Sequence, residues 1–131
     1  VGCGRCIAVC NFDAIAAGSD CAMEELSCRM AEYAKAVVAG RPHFHISLVV
    51  DVSPYCDCHS ENDVPILPDV GMFASFDPVA LDQACVDAVY RSPDPGKAAL
   101  IERMESRNGI HTVETAAALG LGSRDYELIC L

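Results

Sequence analysis

The chain has 131 residues, 52% of them hydrophobic and 21% charged, a balance that suits one folded domain with a real core and excludes a disordered tail. Its formal charge is −10, from 19 acids against 9 bases, so phosphate-rich partners are repelled and neither nucleic acid nor an anionic membrane is expected as a partner. Nothing resembles a signal peptide, and the longest apolar run, ISLVV, is far too short to cross a bilayer.

The chain holds 9 cysteines, an odd number, unevenly spread, in a polypeptide too large to need disulfide staples. That pattern favours reduced thiols acting as metal ligands or core residues, and with them a reducing, cytoplasmic setting.

Three of the thiols come first. Cys3, Cys6 and Cys10 in VGCGRCIAVCNFDAI follow C-x2-C-x3-C, the last three positions of the bacterial ferredoxin run C-x2-C-x2-C-x3-C-P. Gly2 and Gly4 let the backbone bend close to a metal, although Asn11 stands where that run has proline. Iron is soft enough to prefer thiolate, and a short loop can aim several sulfurs at one small cluster. Counting back places the absent first thiol immediately before Val1, so the chain reads as a C-terminal fragment. In two-cluster ferredoxins three cysteines of a run hold one cluster and the last holds its neighbour. Cys3 and Cys6 then count towards one [4Fe-4S] cluster and Cys10 towards another; neither is complete, and the chain alone is expected to hold little or none.

SDCAMEELSCRMAEYAKAVVAG predicts a helix capped by Ser19 or Asp20 and stopped by Gly40, with Met23, Leu26, Met30, Ala34 and Val37 recurring at three- and four-residue steps and the charged residues off that stripe. HFHISLVVDV alternates, with Phe44, Ile46, Leu48 and Val50 on one face and His45, Ser47, Val49 and Asp51 on the other, as a strand with at least one buried face does. SPYCDCHSENDVPILPD has three prolines and small polar residues, and predicts an irregular loop longer than compact domains usually carry. DVGMFASF returns to strand-like composition. FDPVALDQACVDAVYRS then predicts a helix with Asp77 as N-cap, Pro78 at its first position and a buried stripe of Leu81, Ala84, Cys85, Ala88 and Val89. After the turn SPDPG, KAALIERMESR predicts a helix ended by Asn108-Gly109, and Thr112 can cap a short helix through Leu119. DYELICL alternates again and predicts a final strand. The fold class expected is α/β: a small sheet of three strands flanked by four helices over residues 21–131, preceded by a partial ferredoxin-type segment over residues 1–20.

Between Arg41 and Arg91 no Lys or Arg occurs, while Asp51, Asp57, Glu61, Asp63, Asp69, Asp77, Asp82 and Asp87 all do. Helix caps and solvated loops account for part of this run, and convergence on a cation is the sharper reading. Within it, the C-x-C pair Cys56 and Cys58 can point both sulfurs to one side, with Asp57, His59 and Asp63 near enough in sequence to complete a mixed metal site. Cys85 and Cys130 read as core thiols, and Cys21 and Cys28 as helix residues able to lend a replacement ligand. His43 and His45 share a strand face, as metal ligands or as a simple hydrogen-bonded pair.

MAEYAKAVVAG, SPYCDCHSENDVPILPDVGMFASFDPVALDQA and LGLGSRDYELI resemble the iron-sulfur proteins catalogued as domain of unknown function 362. The resemblance rests on the C-D-C, D-x-G and D-P-V-A elements and implies cluster ligands at Cys3, Cys6 and Cys10. It further implies a characteristic polar set at Cys56, Cys58, Asp63, Asp69, Asp77 and Asp82. Two functions follow as expectations. In one, single electrons pass through ferredoxin-type clusters to or from a redox partner protein or an attached upstream region. In the other, the α/β body is a metal-dependent enzyme or binding domain whose Cys56/Cys58 loop holds a divalent ion.

Overall fold

The computed structural model describes residues 7, 9–12, 14, 21–53 and 64–131. In chain order its elements are α1 (Cys21–Val38), β1 (His45–Val49), β2 (Gly71–Ser75), α2 (Pro78–Arg91), α3 (Lys97–Ser106) and α4 (His111–Ala118). The class is α/β, with four helices and a two-stranded antiparallel sheet among the described residues. None of these helices is long and apolar enough to cross a membrane.

The breaks between elements fall where backbone chemistry puts them. Gly40 takes φ 68° after α1, Asn108 takes φ 49° after α3 and Gly120 takes φ 73° after α4, left-handed values that stop a helix. Asp77, extended at φ −101° and ψ 110°, caps α2, and Pro78 follows without losing a hydrogen bond. Thr112 is no cap: α4 already includes it, and Ile110 precedes the helix without a side-chain bond to its N-terminus.

β1 and β2 pair from His45 opposite Ser75 to Val49 opposite Gly71. α2 packs across both strands, which seats Val79, Leu81, Ala84 and Val89 in the interior. The face of β1 turned towards α2 carries His45, Ser47 and Val49. The one more-buried face is thus the polar one, and the apolar face points to solvent, the reverse of the usual burial preference, with Ile46 60% and Leu48 63% exposed and Met72 of β2 70% exposed beside them.

The same reversal occurs on α1. Its apolar stripe of Met23, Leu26, Met30, Ala34 and Val37 is exposed, Met30 by 55%, whereas Ala31 is 1% exposed and forms a core cluster with Val79, Val113 and Ala116. α1 packs on α4, an alanine-rich helix, and a small residue at the contact lets the two backbones approach closely. Cys28 shares this contact, its Sγ lying 3.5 Å from His111 Nε2 and 3.7 Å from Thr115 Oγ1, and Lys35 Nζ donates to the Leu119 carbonyl.

The final strand expected over DYELICL is absent: residues 125–131 form no ladder. Other bonds hold the segment's base. Ser123 N donates to Asp77 Oδ2 (2.8 Å), Arg124 donates to Gln83 and Glu114, and the Tyr126 hydroxyl donates to Asp87 Oδ2 (2.7 Å). Gly122 is required at the crossing over α2, since a Cβ there would stand 1.9 Å from Asp77 Oδ1.

Candidate functional site

The polar face of β1 against α2 gathers titratable groups from two elements. Residues two apart on a strand share a face, and His43 Nδ1 lies 2.9 Å from His45 Nε2, the rings tilted at 56° with centroids 5.0 Å apart. One ring donates and the other accepts, so this contact requires at least one neutral imidazole. Next along the face, Ser47 hydrogen-bonds the thiol of Cys85, which α2 presents one turn after Asp82.

The electrostatics of this set are coupled. Desolvation by the surrounding protein pushes the Asp82 carboxyl up, and the nearby His45 pulls the other way. Burial also pushes the Cys85 thiol up; the Ser47 bond opposes this and the Asp82 charge adds to it. Cys85 is therefore held as a thiol rather than a nucleophilic thiolate. Among the described residues no three His, Cys, Asp or Glu side chains converge as a metal ion needs.

The aspartates of the implied polar set serve separate tasks. Asp69 Oδ1 accepts from the backbone N–H of Asp51, a residue at φ 48°, and so ties the end of β1 to the approach of β2. Asp77 Oδ1 accepts from Val79 N (2.8 Å) and Ala80 N (3.0 Å), in addition to the Ser123 bond on its other oxygen. Asp82 faces His45. Of the expected cluster ligands, Cys10 is half-buried in a turn whose N–H donates to the Ile7 carbonyl (3.3 Å), and Cys3 and Cys6 lie outside the described residues. Cys56, Cys58, His59 and Asp63 lie outside them as well. Of the thiols read as core, Cys85 is half-buried but Cys130 is exposed.

Sequence reading missed two groupings. The Asp82–His45 approach joins residues 37 positions apart, and no local pattern signals it. Asp87 gathers Gln83 Nε2 (2.8 Å), Tyr126 Oη (2.7 Å) and Arg91 (3.4 Å). Partial burial works to raise its pKa, but the Tyr126 and Gln83 bonds with the Arg91 and Arg124 charges prevail and hold it below the ordinary aspartate value.

Fold and site together define a small α/β domain, two antiparallel strands backed by a helix, with a histidine–aspartate–thiol set at the strand–helix interface. The chain belongs to the family described as Domain of unknown function (DUF362), whose model matches residues 6–87. The match takes in Cys6, Cys10, both strands and α2 as far as Asp87. No curated protein and no solved structure matched the chain.

Proposed function

We propose that this chain belongs to an electron-transfer protein and supplies Cys3, Cys6 and Cys10 as thiolate ligands to ferredoxin-type [4Fe-4S] clusters. The observation that carries the reading is the C-x2-C-x3-C spacing with glycines at positions 2 and 4. The state of two other thiols supports it. Cys28 is engaged by His111 and Thr115, and burial keeps Cys85 as a thiol, which disfavours it as an iron ligand. Cys10, half-buried in its turn, sits where a ligand can be shielded from bulk water.

A bound cluster supplies one-electron chemistry. The chain's own part is to hold thiolates at fixed spacing and, through its net charge of −10, to favour a basic partner surface. A cubane has four corners and these three thiols cannot fill one, so at least one further ligand is required.

The test is anaerobic reconstitution with ferrous iron, sulfide and an excess of small thiol to stand in for absent ligands. The chain is expected to develop the brown charge-transfer absorbance of an iron-sulfur cluster, with Cys28→Ser and Cys85→Ser behaving like the parent and Cys6→Ser and Cys10→Ser failing. Colour that survives both Cys6→Ser and Cys10→Ser would remove the proposal.

A further inference from the structure

β2 carries β1 on one edge and, among the described residues, no strand on the other. Beside that second edge lies a cavity of about 1240 Å³, floored by α2 and walled on its far side by the C-terminal segment from Tyr126 to Leu131. A strand edge exposes backbone N–H and C=O groups, and the occupant that satisfies them best is another extended backbone.

The floor fits such an occupant. Ala80, Ala84 and Ala88 recur at every fourth position of α2 and line the cavity in a row. At 1.5 Å per residue this row is about 12 Å long, the reach of about four residues of strand. Three small side chains in line leave room for the alternate side chains that a strand beside β2 would direct onto them. The opposite side chains would continue the exposed surface of Met72 and Ala74.

The rim selects by charge. Asp69, Asp94 and Glu127 line it, while its one base, Arg91, is already 3.4 Å from Asp87. The chain's own strand-patterned segment, DYELICL, carries Asp125 and Glu127, so a second copy would bring acids to an acidic rim. We propose that this groove is a strand-addition site for a partner protein, taking an extended segment with alternate apolar residues flanked by Lys or Arg.

The probe is the peptide Lys-Lys-Val-Thr-Val-Thr-Val-Lys-Lys, capped at both ends and fluorescently labelled, added to the full chain. Anisotropy should saturate, and amide hydrogen exchange at Met72–Ser75 should slow by about ten-fold or more at saturation. Replacing the flanking lysines by glutamate should weaken binding by about ten-fold at low salt, and proline at the central valine, which removes a ladder donor, should abolish it. Glu127→Lys, an exposed substitution, should narrow the preference for the lysine-flanked peptide, and Ala88→Phe, confirmed folded by circular dichroism, should fill the floor and block binding. Absence of saturable binding, equal binding of the proline peptide, or protection confined to the Phe44–Leu48 face would overturn the proposal. Protection of β2 amides that grows with protein concentration and without peptide would overturn it in favour of a second copy.

Discussion

One carboxylate, that of Asp77, answers three backbone N–H groups and so fastens both the start of α2 and the passage of the C-terminal segment over it. Asp77→Ala removes a helix cap and leaves the Ser123 N–H without its acceptor, and should lower stability by about 1–3 kcal/mol in urea unfolding. Asn keeps an acceptor oxygen and should recover part of that loss. Asp87 makes a second fastening, and its sign with pH is fixed by its depressed pKa. A carboxylate held below its unfolded value, about 3.9, stabilises the fold above that value, and the contribution is lost as pH falls through the folded pKa. Tyr126→Phe removes a hydroxyl that donates to Asp87. The variant should therefore melt below the parent at pH 7, and the two melting temperatures should converge as the medium is acidified past the ordinary aspartate range. Asp82 runs in the opposite sense, because its carboxyl is pushed up. The cost of ionising it appears as pH rises, so Asp82→Asn should gain relative stability at neutral pH and lose that advantage in acid.

Among the elements, the helix boundaries were legible because single residues decide them: Asp77 with Pro78 starts α2, Gly40 follows α1, and Asn108 with Gly109 follows α3. Side-chain periodicity carried less, since it reports an amphipathic face without saying what that face meets. On α1 the apolar stripe faces solvent, and the contact with α4 goes through Ala31. Ala31→Leu should therefore destabilise by about 1–3 kcal/mol through overpacking, while Met30→Gln, at a position 55% exposed, should stay within about 0.5 kcal/mol of the parent. Alternation in DYELICL likewise describes a strand's side chains, but a strand also needs an edge within hydrogen-bonding reach, and the segment is held across a cavity from β2. The candidate site was legible to the same degree. That His43 and His45 share a face follows from their spacing; that Asp82 approaches them depends on how α2 crosses the sheet.

At the scale of the molecule, the described polar groups of the α/β body are mostly fasteners. Asp69, Asp77 and Asp87 each hold backbone or side-chain donors, so part of the acid-rich stretch between Arg41 and Arg91 is architecture rather than a cation site. The body leaves apolar side chains of both the sheet and α1 in solvent, and beside the strands Phe44 and Phe76 are exposed as well, their rings meeting edge to face at 5.0 Å. The functional claim rests on which sulfurs take iron, and the most direct measurement is the iron and acid-labile sulfide content per chain after anaerobic reconstitution with small thiol. The chain should retain iron and sulfide in equal amounts, and the triple variant Cys3→Ser, Cys6→Ser, Cys10→Ser should retain neither. Equal metal content in the parent and the triple variant would contradict that claim.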